Sequence, residues 1–360
     1  MPRELVAVAP RTPAFREYAD EPLGPDQIRA RVQYAAPKHG TELHLYRGDS
    51  AFGDAHWDPR EKVFLPGAPP PGAYATFPLP LGNMAVGTVS EVGAEVRDVA
   101  PGDRVAGYAP LRETQRWTWA PRGGGDGVYP QVRAVPPGMS WQAAVCLDPA
   151  QVALGGVRDG NVRPGDRVAV FGLGAIGLLA VQLAKVAGAA FVAAIDPLAT
   201  RREVAARTGA DLAVDPTSED AGLLIRRAAG QGVDVALETS GSARALHHAI
   251  RGLAFGGTVA VTGWYTEVRG GLDLGREAHF NRPRLVFTRV ESEPHADHPR
   301  WSARRLSDAA WALLASGRLR CEPIVRPVVA FDDLVDAYRE YVDEHPERSV
   351  KLGVRVGGAP

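Results

Sequence analysis

Three glycines, Gly172, Gly174 and Gly177, close an apolar run that begins at Val168. Glycine at this spacing works through the backbone. The first permits a tight turn off a strand, the second lets the main chain approach a bound diphosphate, and the third lets a helix pack closely on the strand before it. A helix opening at Ala175 and Ile176 then offers free N–H groups and the positive end of its dipole to the phosphates. Asp196 stands 19 residues beyond Gly177, at the end of a second apolar run. A carboxylate there accepts bonds from ribose hydroxyls and repels a 2′-phosphate, which favours NAD over NADP. Arg201 joins the expected cofactor residues. Arg201 and Arg202 together keep NADP as the second choice.

Those residues need a strand–loop–helix–strand frame, and the middle of the chain supplies it. Over roughly 154–299, apolar runs at Arg167–Phe171, Phe191–Ile195, Leu212–Val214, Val233–Leu237, Thr258–Thr262 and Leu285–Thr288 alternate with helical stretches such as Ile176–Ala187 and Arg201–Thr208. That rhythm predicts an α/β fold with a doubly wound parallel sheet. The first 153 residues read differently. Short strands are expected at Glu4–Val8, Gln27–Tyr34, Ala85–Val92 and Arg104–Tyr108, with surface loops at Pro66–Gly72 and Pro121–Gly127. After residue 300 come helices at Ala303–Ala315 and Asp332–Glu344, then a strand at Val350–Val356. A lone terminal strand needs a host sheet, and the β-rich first region is the natural one. The expected division is therefore a discontinuous domain of 1–153 plus 300–360 and an inserted dinucleotide-binding domain of 154–299.

Composition narrows the function classes. The 360 residues carry 41 Lys+Arg against 42 Asp+Glu, a net charge of -1, which gives nucleic acid or an anionic membrane no electrostatic hold. Two cysteines, Cys146 and Cys321, are too few for a disulfide framework or a four-thiolate zinc site, and suit a reducing cytoplasm. No apolar run reaches bilayer-spanning length, and the first residues carry no signal-peptide pattern. The expected partner is a small-molecule substrate.

Together these motifs resemble the zinc-type alcohol and polyol dehydrogenases of the medium-chain dehydrogenase/reductase family. The likeness also takes in Arg201 with Gly209-Ala210-Asp211, Asp234–Thr239 with Gly241, Gly256-Gly257-Thr258 and the closing strand. The resemblance implies a GroES-like β domain interrupted by a Rossmann domain, an active site in the cleft between them, and pairing into a homodimer or homotetramer through the last Rossmann strand, Arg284–Val290.

Zinc-bearing relatives show Cys-x-Thr/Ser-Asp-x-His, which here reads His39-Gly40-Thr41-Glu42-Leu43-His44, and Gly-His-Glu, which here reads Gly82-Asn83-Met84. The third ligand position is closest to Asp148, and residues around Gly107–Tyr129 replace the structural zinc lobe. Zinc wants three thiolate, imidazole or carboxylate ligands. His39 and Asp148 supply two at most, so no zinc is expected. Thr41 and His44 match the family's proton relay, which implies that a proton path survives the metal. His39 is read equally as a packed imidazole and as an acid/base group beside the substrate. Lys38 is taken as a solvated or cofactor-facing charge, and Glu42 as a group that orients a neighbour. Scattered aromatics such as Trp264, and His295 and His298, are given no site role. The leading expectation is zinc-independent hydride transfer to or from a polyol, sugar or cyclitol. Reduction of activated C=C bonds, quinones or iminium-like groups, and dinucleotide binding without catalysis, are the other two readings.

Overall fold

The alternating apolar runs at the start of the chain become strands because one face of each buries valines and alanines. In Gln27–Ala36, Ile28, Ala30 and Val32 all turn into one core. The computed structural model describes residues 1–50, 55–67, 76–119, 132–265, 268, 270–289, 297 and 299–357. Among them the chain forms two units, Gly138–Ile324 and the remainder on either side.

The first unit holds β1 (Arg3–Ala9), β2 (Thr12–Glu17), β3 (Gln27–Ala36), α1 (Thr41–Arg47), β4 (Ala55–Asp58), β5 (Val63–Pro66), β6 (Leu79–Pro80), β7 (Met84–Val92), β8 (Arg104–Tyr108), β9 (Thr114–Thr118) and β10 (Val132–Ala134). From the end of the chain it adds β17 (Val325–Ala330), α10 (Leu334–Tyr338) and β18 (Lys351–Arg355). Its larger sheet runs β10-β8-β7-β3-β18-β17, with β9 also paired to β3. Two registers place the candidate site. Ala36 of β3 faces Met84 of β7, and Val354 of β18 faces Ala35. The segment leaving β3 at Pro37 therefore emerges between the start of β7 and the start of β18.

The second unit contains α2 (Trp141–Val145), α3 (Leu147–Asp159), β11 (Arg167–Phe171), α4 (Ala175–Val186), β12 (Phe191–Ile195), α5 (Ala199–Thr208), β13 (Leu212–Val214), α6 (Ala221–Ala228), β14 (Val233–Glu238), α7 (Ala243–Gly252), β15 (Leu253–Val261), α8 (Glu277–Asn281), β16 (Arg284–Phe287) and α9 (Ala303–Ala315). Its parallel sheet is ordered β13-β12-β11-β14-β15-β16. The strand order reverses between β11 and β14, so ligands belong outside the carboxyl ends of those two strands.

The expected fold class stands, and the closing strand joins the first region's sheet as anticipated. The unit boundaries differ from the expected 154 and 300. Helices α2, α3 and α9 all belong to the second unit, because α3 packs on α4 and α9. The guanidinium groups of Arg158 and Arg305 also lie over the Trp301 indole, 3.5 and 4.5 Å from its ring centroid. The helix expected over Asp332–Glu344 is broken into a 3₁₀ turn, α10 and a π-helical turn at Arg339–Glu344. The short edge strands β2, β9 and β10 were not anticipated, since no long alternating run marks them. Most of the two expected surface loops, and both His295 and His298, lie outside the described residues.

Candidate active site

Gly40, at φ +98°, turns the chain leaving β3 into α1. Helical spacing then sorts the side chains. Glu42 and Tyr46, four apart, are buried, while Thr41 and His44, three apart, lie half-buried on a neighbouring face. The buried face reaches far along the chain. Glu42 Oε2 accepts the Gly82 N–H at 2.6 Å, and Oε1 accepts the Tyr338 hydroxyl at 2.8 Å. Tyr46 packs edge-on against Tyr338 with ring centroids 5.0 Å apart. Burial pushes the Glu42 carboxyl up to about 7, opposed by the Gly82 N–H, the Tyr338 hydroxyl, the charge of Lys351 and the Lys38 N–H. Burial likewise pushes the Tyr46 phenol up to about 12.

On the other face, His44 Nδ1 lies 2.8 Å from Asp49 Oδ1, with 38% of its side chain exposed. A carboxylate only accepts, so Nδ1 carries the proton and Nε2 is left as an acceptor. His39 takes a different posture. Its Nε2 accepts the backbone N–H of Leu352 at 3.2 Å, which places its ring proton on Nδ1. Lys38 is half-buried.

The residue before Leu352, at the start of β18, was missed by sequence reasoning. Lys351 is 3% exposed, and its Nζ donates to Pro37 O at 2.9 Å and to Asn83 Oδ1 at 3.5 Å. A lone lysine inside the apolar closing strand was the available signal. The donor set here does not fit a zinc ion. His39 Nε2 and Asn83 Oδ1 are both engaged, an ammonium occupies the neighbourhood, and Met84 is fully buried in β7. No group of three or more metal-ligating side chains is found among the described residues. Asp148 lies on α3, in the second unit.

In the second unit the glycine loop behaves as its spacing implies. Gly172 has φ +85°, and a Cβ there would sit 2.7 Å from Ser240 Cβ. A Cβ on Gly177 would sit 1.8 Å from the Gly172 carbonyl oxygen. Gly174 caps α4, and no side chain caps the helix, so the N–H groups of Ala175, Ile176 and Gly177 face outward from its end. Asp196 is 4% exposed and accepts the N–H groups of Leu173 at 2.7 Å and Leu198 at 2.9 Å. It thereby fixes the glycine loop to the end of β12. Arg201 Nη1 lies 4.0 Å from the same carboxylate, whereas Arg202 pairs with Asp215 at 3.1 Å.

Across the switch point, Glu238 was also overlooked. Wholly buried, it accepts the N–H groups of Ser240 at 2.8 Å and Gly241 at 3.2 Å and the Tyr265 hydroxyl at 2.5 Å. The Thr239 hydroxyl bonds Gly172 O at 2.8 Å, joining the loops after β11 and β14. These residues fit a dinucleotide: a backbone cradle at a helix start, beside a buried carboxylate.

Residues 24–145 match the model of the alcohol dehydrogenase GroES-like domain, and residues 175–295 that of the zinc-binding dehydrogenases. The chain is 46% identical to the D-guloside 3-dehydrogenase of Escherichia coli K12 over 354 residues, 98% of this chain and 99% of the relative. It is 29% identical to the (R,R)-butanediol dehydrogenase of Bacillus subtilis over 342 residues, covering 89% and 90% of the two chains. The crystal structure of 2R,3R-butanediol dehydrogenase from Bacillus subtilis superposes with TM-score 0.76 at 21% identity, covering 99% and 100%. A zinc-binding dehydrogenase structure from Sinorhizobium meliloti, bound to NADP, gives 0.73 at 23%, covering 99% of each chain. With its glycine cradle, its strand order and near-full-length similarity to dehydrogenases in agreement, the chain belongs to the medium-chain dehydrogenase/reductase family of oxidoreductases.

Proposed function

We propose that the protein is a zinc-independent dehydrogenase that oxidises a secondary hydroxyl of a sugar or glycoside with NAD. The near-full-length identity to a D-guloside 3-dehydrogenase carries the substrate class. The ammonium of Lys351 beside Asn83 supports the absence of zinc, because a cation there repels a second one. The buried Asp196 carboxylate supports NAD, since a 2′-phosphate would approach an existing negative charge. Gly172, Gly174, Ala175, Ile176 and Gly177 would cradle the diphosphate, with Asp196 and Arg201 at the adenosine ribose.

A bound nicotinamide would supply the hydride acceptor. The protein must then move the hydroxyl proton. Thr41, the first residue of α1, takes the substrate hydroxyl proton as its own leaves. His44 receives that proton on Nε2 and releases it to water through its exposed edge, with Asp49 holding the ring. His39 Nδ1 is a second donor in the same segment.

The test is the rise of NADH absorbance with a panel of methyl glycosides and polyols, for both NAD and NADP, with metal content measured by mass spectrometry. Turnover that survives chelation, with NAD preferred, is the expected result. Activity abolished by chelation and restored by zinc would overturn the zinc-free reading, and oxidation of NADH by enones alone would overturn the substrate class. His44→Ala is expected to lower kcat by about 10²-fold at neutral pH, with NADH affinity unchanged. Equal kcat in the two proteins would remove His44 from the proton path.

The same proposal includes pairing of two copies through β16. That strand ends the parallel sheet, and Phe287 on it and Phe280 on α8 are among the most exposed large apolar side chains described. A monomer by light scattering would exclude it. No helix among the described residues is long and apolar enough to cross a membrane.

A further inference from the structure

Lys351 poses a question of its own. A buried ammonium costs several kcal/mol unless it is compensated. Its ammonium donates to two neutral oxygens, Pro37 O and Asn83 Oδ1, and the buried Glu42 carboxyl is near enough to feel its charge. The chemistry of the ammonium settles how Asn83 is turned. An ammonium has donors only, so the carboxamide must present its oxygen to Nζ and direct its NH₂ away. The backbone around Asn83 is equally fixed. The Gly82 N–H is held by Glu42, Asn83 O accepts the Ala109 N–H at 3.0 Å, and Met84 is locked in β7. Among the described residues no acceptor takes the Nδ2 hydrogens. The other oxygen on the ammonium, Pro37 O, belongs to the segment that continues directly into His39, Thr41 and His44. One buried charge thus ties an oriented amide donor to the start of the candidate proton path.

We infer that Asn83 Nδ2 donates a hydrogen bond to the reacting oxygen of the substrate, and that Lys351 is the positioning residue that aims it. The inference rests on the dehydrogenase reading above and adds to it the group that stabilises charge on that oxygen. In the step, the substrate C–H bond would break with its electron pair leaving as hydride, for which a bound nicotinamide would be the acceptor. The O–H proton departs toward Thr41 and His44, and the C–O bond gains its second pair to become a carbonyl. The Asn83 N–H makes and breaks no covalent bond. It meets the negative charge that builds on oxygen as the proton leaves, from an amide already oriented before reaction.

The experiment compares Asn83→Ala, Lys351→Met, Lys351→Arg and the Asn83→Ala/Lys351→Met double variant with the wild type. It measures kcat, KM, NADH affinity by fluorescence, calorimetric affinity for the keto product, and Tm. Asn83→Ala is expected to lower kcat by about 10²–10³-fold, the usual loss for one such donor, and to weaken binding of the keto product, while NADH affinity stays near wild type. Lys351→Met is expected to lower kcat in the same direction and Lys351→Arg to recover part of it. The double variant should fall no further than the more damaged single one, because both changes remove one interaction. Asn83→Ala with kcat within about threefold of wild type overturns the inference while leaving the dehydrogenase reading intact, as do losses that multiply in the double variant. If Lys351→Met fails to fold, Asn83→Ala decides alone. A wild type that binds NADH and oxidises no hydroxyl overturns both.

Discussion

Gly174→Ala is expected to leave Tm unchanged and to weaken NADH binding at least about tenfold, whereas Gly177→Ala is expected to lower both. Gly174 has φ −68°, a value any residue adopts, and a Cβ built on it meets nothing within 4 Å. Alanine there costs the folded chain almost nothing. What it removes is the close approach of backbone to phosphate. Losing one charge-assisted N–H contact costs about 1.5–3 kcal/mol, or roughly ten- to a hundredfold in affinity. Gly177 is the opposite case. Its Cβ would lie 1.8 Å from Gly172 O and 2.9 Å from Thr239 Oγ1. Since the first of these atoms is backbone, α4 must move off β11. Overpacking of this kind costs about 1–3 kcal/mol, which for a unit of this size is a fall of roughly 2–12 °C. Thermal melts and fluorescence titration of both variants test the pair. A Gly174→Ala protein that binds NADH normally, or a Gly177→Ala protein that melts normally, contradicts these assignments.

Glu42→Gln is expected to flatten part of the pH dependence of stability. The folded carboxyl is raised to about 7 from the ordinary 4.5, chiefly by burial. Between those two values the unfolded chain releases its proton while the folded chain keeps one, so the folded state binds more protons. Stability conferred by this group is therefore present in acid and is lost as pH rises through about 7. The shift corresponds to about 3 kcal/mol across the window. Glutamine is neutral at every pH and keeps one acceptor oxygen where the carboxylate had two for its donors, Gly82 N–H and Tyr338 O–H among them. Near pH 5 the two proteins should differ little. By pH 8 the variant should have gained about 3 kcal/mol on the wild type. Denaturant titrations at several pH values measure the difference, and parallel curves would mean that Glu42 carries no such shift. The same buried carboxyl holds Gly82, so its protonation also bears on how firmly Asn83 is placed.

The two candidate regions were not equally legible. The glycine loop and its carboxylate could be read almost residue by residue, because Gly172, Gly174, Gly177 and Asp196 lie on one strand–loop–helix–strand unit. Backbone sterics and helix direction impose their spacing before any tertiary contact forms. Glu238 escaped because its donors come from the loop after its own strand and from Tyr265, which sits beyond β15. The buried half of the other region was still less accessible. Glu42 was readable only as a group that orients a neighbour. Which neighbours, Gly82 and Tyr338, depends on β7 and α10 coming beside α1.

What the sequence by itself determined is therefore the α/β class, the inserted parallel sheet and the glycine turn between strand and helix. All of these follow from local spacing and residue chemistry. Tertiary structure alone decided that Leu352 holds His39 and that Lys351 meets Asn83 and Pro37. Those contacts join residues about 270–310 positions apart, through strand pairing that sets β18 against β3. A charge buried by the end of a chain has no signature at its beginning, because only the register of the finished sheet brings the two together.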